Sequence, residues 1–155
     1  MGTFDNVTVY EKLGVRGSIN AIGTGTMVGG SGPPEFVREK MEEVSTSFVD
    51  MPQLMARSGE FVADLVGTEA AFITSGGAAA LTMSAAACMA GTDSDKLARL
   101  PDTTGMKNEI LVFKKHIKSY DRCLAAAGAK IIEVGDDSSC SINQLESAIG
   151  PKTAA

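Results

Sequence analysis

Thr74-Ser75-Gly76-Gly77-Ala78-Ala79-Ala80 joins a hydroxyl, two residues without side chains and the start of an alanine-rich stretch. If a buried strand ends at Thr74 and a helix opens at the glycines, the free N–H groups of the first turn point outward with the helix dipole behind them. Such a turn takes a phosphate or a carboxylate, with the Ser75 hydroxyl as a further donor. The residues admit a second reading, in which Ser75 simply caps the helix and the glycines make a tight turn. His116 is the single histidine. It follows the strand-like run Glu109-Ile110-Leu111-Val112-Phe113, at the end of a strand where open α/β sheets hold ligands. A lone histidine is more often structural or exposed than catalytic. Lys114, Lys115, Lys118 and Arg122 surround it, as a solvated face or as a means of drawing in an anion. Tyr120 and Asp121 open the next helix.

Other patterns point away from familiar chemistry. Gly23-Thr24-Gly25-Thr26-Met27-Val28-Gly29-Gly30 resembles a dinucleotide fingerprint, but Val28 stands where the third glycine belongs and no helix opens directly at the glycines. A loop over a site, or a surface turn, fits it better. Cys88, Cys123 and Cys140 are odd in number and widely spaced, which gives neither a disulfide framework nor a metal ladder. No metal site is expected, and a reducing cytoplasm suits such thiols. The net charge of -5 argues against a nucleic-acid-coating surface, which needs clustered Lys and Arg. Met1 to Tyr10 is mixed and polar, unlike a secretory leader, and Ala78 to Ala90 is too short to span a bilayer. The expectation is therefore a protein neither secreted nor membrane-bound.

The elements that must position these residues are well punctuated. Pro33-Pro34 opens a helix through Ser45, with Phe36, Val37, Met41 and Val44 as its apolar stripe. Asp50-Met51-Pro52-Gln53 starts a second helix, with Leu54, Phe61, Val62 and Leu65 on one face and Gly67 at its close. Ala70-Ala71-Phe72-Ile73-Thr74 reads as a buried strand and Ala78 to Ala90 as a helix ended by Gly91, with Leu81, Met83, Cys88 and Met89 in the core. Thr92 to Lys107 reads as loop. Then come a strand at Glu109 to Phe113, a helix from Ser119 to Ala127 and a strand from Lys130 to Val134. A capping box at Ser141-Ile142-Asn143-Gln144 opens a last helix, ended by Gly150-Pro151.

This alternation predicts a parallel sheet flanked by helices. With 155 residues, one domain could bury about two-thirds of its unfolded surface. After Pro151, however, the rhythm requires another apolar strand, and Lys152-Thr153-Ala154-Ala155 begins one and stops. A fragment of a longer protein is the expectation.

Several stretches, taken in order, resemble one enzyme family. They are Tyr10-Glu11-Lys12-Leu13-Gly14-Val15, Ile19-Asn20-Ala21-Ile22-Gly23-Thr24, Ser47-Phe48-Val49-Asp50, Gly67-Thr68-Glu69-Ala70-Ala71, Thr74 to Leu81, Leu100-Pro101-Asp102-Thr103-Thr104-Gly105-Met106-Lys107-Asn108-Glu109 and Ala127-Gly128-Ala129-Lys130. The chain is similar to the N-terminal part of selenocysteine-synthase-like pyridoxal-phosphate enzymes of fold type I. Leu100 to Asn108 looks closer to the D-glucosaminate-6-phosphate ammonia-lyase branch than to the tRNA-dependent selenium transferases.

The resemblance implies a three-layer α/β/α fold, present in part. Residues 1–50 would be an N-terminal arm and helix at a subunit interface, and 51–155 the first portion of the large cofactor-binding domain. It implies that Ser75, Gly76, Gly77 and Ala78 hold the phosphate of pyridoxal 5'-phosphate and that His116 stacks on its ring. Asn20, Thr24 and Thr26 resemble a loop that approaches the active site, often from a partner subunit. Asp102, Thr103 and Thr104 are candidates for the substrate side. The imine-forming Lys and the carboxylate that such enzymes need are expected beyond Ala155, because none of the lysines after Ser75 stands in the family's motif.

The implied activity is elimination of ammonia from an amino acid or amino-sugar acid by a cytoplasmic homodimer or larger homo-oligomer. The alternatives are a seryl-tRNA selenium transferase and a non-catalytic α/β module that binds some other anion.

Overall fold

The computed structural model describes residues 8–117 and 120–155, and the chain divides into two units, Met1–Asp50 and Met51–Ala155. In the first unit, Thr8 and Glu11 form a reciprocal capping box that opens the single-turn helix α1 (Val9–Lys12). Asn20 then organises the glycine-rich loop. Its Oδ1 accepts from the N–H groups of Ile22 and Gly23, both at 3.0 Å. Its Nδ2 donates to the carbonyls of Gly23 and Gly30, at 2.6 and 3.1 Å. A 3₁₀ turn at Thr26–Val28 lies inside this loop. Helix α2 (Glu35–Val44) starts after Pro34 as expected. The apolar residues of its stripe do not form a core within this unit: Phe36, Met41 and Val44 are all exposed.

The second unit opens with α3 (Met51–Val66), whose buried positions are Gly59 and Ala63 rather than the expected Leu54, Phe61 and Leu65. Gly59 is the point of closest approach. Residues 70–74 pass so close to α3 that a Cβ on Gly59 would lie 2.4 Å from the Ala71 carbonyl oxygen. Backbone approaches backbone here, and the larger side chains sit on the other faces of the helix.

Residues 70–74 do not form the expected strand. A strand exists only as part of a ladder, and this segment pairs with none of the described residues. Helix α4 (Gly77–Ala90) follows, then α5 (Ser94–Arg99), which interrupts what the sequence suggested was loop. Asp93 caps α5 by accepting from the N–H groups of Asp95 and Lys96.

The sheet has the expected strands, β1 (Glu109–Phe113) and β2 (Lys130–Val134), parallel and in register from Glu109–Lys130 to Phe113–Val134. Parallel pairing requires a crossover, and α6 (Asp121–Ala126) supplies it. Ser119, the expected first residue of that helix, lies outside the described residues, as does Lys118. On the other edge of β1, Glu109 and Leu111 donate to the carbonyls of Lys152 and Ala155, and Ala154 donates back to Glu109. Thr153 bridges Glu109 in parallel. Residues 152–155 thus run along β1 with a single parallel bridge and do not form a strand of their own. Helix α7 (Ile142–Ala148) begins at the Ser141–Gln144 capping box.

Ala85, Met89, Ile110, Ala127 and Ala129 form the buried core, with Ala86, Leu100, Val112, Leu124 and Ala154 packed around it. Small side chains on α4 let the helix lie close to β1 and α6. Leu81, Met83 and Cys88 were expected in this core, but they are exposed on the other sides of α4. Alanine spacing selects the packed face, because only the turn that carries Ala85 and Met89 approaches the sheet. Among the described residues, no helix is long and apolar enough to cross a membrane.

Candidate functional site

The start of α4 is a bare helix terminus. Its N-cap is Gly76, with φ 152° and ψ 174°, and no side chain caps it. That φ favours glycine. The reading in which Ser75 caps the helix does not hold. Thr74 organises the turn instead: its hydroxyl donates to the Gly76 carbonyl at 3.0 Å and lies 3.4 Å from the Gly76 N–H. The first intrahelical bond runs from the Ala80 N–H to the Gly76 carbonyl. The N–H groups of Gly77, Ala78 and Ala79 therefore precede the internal ladder and project from the helix end. A Cβ at Gly76 or Gly77 would meet nothing within 4 Å. Ser75, Gly76, Gly77 and Ala78 are all exposed.

Two observations orient α4 against the sheet. In its second turn, the Thr82 hydroxyl donates to the Cys123 carbonyl in α6, at 2.8 Å. Farther along, Ala85 and Met89 join the core with Ile110, Ala127 and Ala129. The helix thus descends from the level of the β1 C-terminus toward the β1 N-terminus. The bare turn and His116, three residues after Phe113, belong to the same end of the sheet. An apolar groove of about 450 Å³, lined by Phe72, Thr74, Ala80, Met83, Ser84 and Ala87, runs along α4 beside the turn.

His116 ends a 3₁₀ turn, Lys114–His116, that leaves β1 directly. Its ring centroid lies 5.7 Å from that of Phe113, with the planes tilted by 40°. In the sequence Phe113 reads only as a strand residue, because its contact with His116 depends on the turn that follows β1.

At the same edge Lys114 pairs with Asp137 at 3.3 Å, so one of the cations around His116 is engaged. Asp136 accepts from the Ser138 hydroxyl and from the N–H groups of Ser138 and Ser139. These bonds, the hydroxyl's foremost, hold its carboxyl down to about 2. Gly135, with φ 81°, lets the loop fold back, since a Cβ there would lie 2.4 Å from the Ser139 oxygen.

Asp102, Thr103 and Thr104 lie elsewhere. Their loop precedes β1, at the opposite end of the sheet from His116, and together with Pro151 and Lys152 it borders a cleft of about 710 Å³. Thr103 is buried, donating to the Gly128 carbonyl at 3.1 Å and accepting from the Asn108 amide at 2.9 Å. Asp102 accepts from the Thr104 N–H at 2.9 Å. The Thr104 hydroxyl and N–H, with Arg99 near, keep its carboxyl below the usual range. The structure therefore ties these residues to the loop and to the β2 approach, and does not bring them to the bare turn. In the other unit, Asn20 is committed to its own loop, and Thr24 and Thr26 are exposed on it.

No family model matches the chain. Among curated proteins it is similar to D-glucosaminate-6-phosphate ammonia lyase of Salmonella typhimurium, 34% identical over 151 residues, which make up 95% of this chain and 41% of that one. It is likewise 34% identical over 151 residues to a 5'-C-glycyluridine monooxygenase-decarboxylase from a Streptomyces species, covering 94% of this chain and 38% of the relative. The solved structure of a D-glucosaminate-6-phosphate ammonia-lyase superposes with a TM-score of 0.91 at 33% identity, over 96% of this chain and 41% of that one. The chain thus spans about two-fifths of the length of the relatives it matches.

Proposed function

Taking the chain as a homologue of D-glucosaminate-6-phosphate ammonia-lyase that shares its partial α/β type I fold, we propose that it is the N-terminal part of a pyridoxal-phosphate-dependent lyase releasing ammonia from an amino acid or amino-sugar acid. The observation that carries the cofactor assignment is the start of α4: three N–H donors that precede the internal ladder, a glycine cap and an exposed turn. This arrangement fits a phosphate dianion by donor geometry and by the sign of the helix dipole.

In this reading the N–H groups of Gly77, Ala78 and Ala79 hold the phosphate, Gly76 gives it access, and the exposed Ser75 hydroxyl adds a donor. His116 would stack against the cofactor's ring. Bound there, the cofactor would supply an electron sink for the carbon next to the substrate nitrogen. Thr74 and Thr82 hold the turn and its helix in place. The lysine and the carboxylate that the chemistry also needs come from sequence after Ala155 in this reading. Residues 1–50 form the interface arm of a cytoplasmic homodimer or larger homo-oligomer, in which the Asn20 loop serves a neighbouring subunit. The buried hydrogen bonds of Thr103 suit a scaffolding role for that residue, while the exposed Asp102 and Thr104 remain the candidates for the substrate side.

A second reading comes from the Streptomyces relative, whose equal identity supports a shared scaffold carrying a different reaction. Titration of the complete gene product with pyridoxal 5'-phosphate, followed by absorbance and fluorescence, tests the cofactor assignment. Saturable binding in the wild type is expected, with loss in Gly77→Asp, where a carboxylate would face the phosphate. Equal binding by both proteins contradicts the assignment. Products assayed with the complete gene product separate the readings: ammonia and an oxo acid for the lyase, carbon dioxide with oxygen uptake for the other.

A further inference from the structure

We propose that Phe113 is a positioning residue that fixes the plane of the His116 imidazole. The inference rests on the cofactor reading above, which gives His116 its work, and goes beyond it by naming what holds the ring. Phe113 is the last residue of β1 and the N-cap of the 3₁₀ turn that ends in His116. The turn that begins directly after Phe113 brings the His116 ring back to the Phe113 ring. The centroid separation of 5.7 Å and tilt of 40° lie within the range in which aromatic pairs attract.

The strand supplies the rest of the device. β1 alternates, with Ile110 and Val112 turned toward the α4–α6 core. Phe113 lies on the other face by parity, and there it is only partly covered. Its backbone is fixed by the ladder to Val134. A ring anchored in the sheet therefore backs a ring carried by an exposed turn. Without it, the imidazole at an exposed position would sample several rotamers, and a stacking contact would have to select one of them on binding.

The test compares wild type, Phe113→Leu and Phe113→Tyr in two measurements. The first, in the complete protein without cofactor, is the set of side-chain coupling constants of His116 and the cross-relaxation between its ring protons and those of residue 113. A single rotamer close to the Phe113 ring is expected in the wild type, averaging in Phe113→Leu and restoration in Phe113→Tyr. The second is pyridoxal 5'-phosphate binding, read as a dissociation constant and as the circular dichroism induced in the cofactor band. Phe113→Leu should raise the constant roughly three- to tenfold and diminish the induced band. Averaged His116 couplings in the wild type, or couplings and induced band unaltered by Phe113→Leu, overturn the proposal. An ordered His116 in a complete wild-type protein that binds no cofactor overturns the cofactor reading while leaving the ring contact in place.

Discussion

The Thr82 hydroxyl donates to the Cys123 backbone carbonyl, 2.8 Å away and forty-one residues later in the chain. The same hydroxyl also reaches the Ala78 carbonyl at 3.1 Å. One side chain thus joins the first turn of α4 to the crossover helix that follows His116. It fixes the spacing between the two halves of the proposed cofactor site.

Thr82→Val, which keeps the shape and removes the hydroxyl, should cost about 1 kcal/mol of stability by leaving the Cys123 carbonyl without this donor. Urea unfolding of the chain measures it. Thr82→Ser, which retains the donor, should recover most of the loss.

Gly128 distinguishes strain from crowding. It has φ 94°, and a Cβ there would lie 2.1 Å from the Pro101 oxygen and 2.9 Å from the Thr103 methyl. Gly67 has φ 73° but nothing within 4 Å. Gly67→Ala should therefore cost about 1 kcal/mol from backbone strain alone. Gly128→Ala, which adds a clash with backbone, should cost roughly 3 kcal/mol. Equal midpoints for the two variants would contradict the packing described at Pro101.

Acid should loosen the turn after β2 late. The Ser138 hydroxyl and the N–H groups of Ser138 and Ser139 lower the Asp136 carboxyl from 3.8 to about 2. A depressed carboxyl contributes its stabilisation above the unfolded value and loses it as pH falls through the folded one. The contribution should be whole at neutral pH and fade between those two values. A carbon-detected titration of Asp136 checks this, and Ser138→Ala should move its midpoint upward, toward the ordinary carboxylate value.

Asn20 should control order in the first unit. Asn20→Ala removes the acceptor for the Ile22 and Gly23 amides, so both should exchange with deuterium faster, while the capped amide of Glu11 exchanges as before. Unchanged exchange at Ile22 and Gly23 would show that the loop does not depend on this side chain.

Legibility in the sequence followed the range of the forces involved. β1 and β2 were readable to the residue because Ile110, Val112 and Val134 sit in short apolar runs bounded by polar or glycine positions. The Ser141–Gln144 cap was readable because its hydrogen bonds close within four residues. Residues 70–74 carry the composition of a strand, but strand formation requires a partner, and that information is absent from the segment itself. Phe61 and Leu65 look like core residues by periodicity. Which face of a helix is covered depends on what approaches it, and Gly59 permits the closest approach. α5 escaped notice because its signal is a single local residue, Asp93, within a polar stretch. At the candidate site the donors at the start of α4 were legible, but the cap was not. Ser75 and Gly76 are both acceptable caps by type, and backbone angle decides between them.

The pairing of residues 152–155 with β1 also bears on handling the protein at the bench. The Ala155 carbonyl accepts from the Leu111 N–H at 2.8 Å, so residue 155 is stitched to the β1 edge. A fluorophore, affinity handle or tether attached to a side chain among residues 152–155 would sit at that edge. It would report on the sheet's integrity, and a bulky one would compete with the hydrogen bonds that seat it.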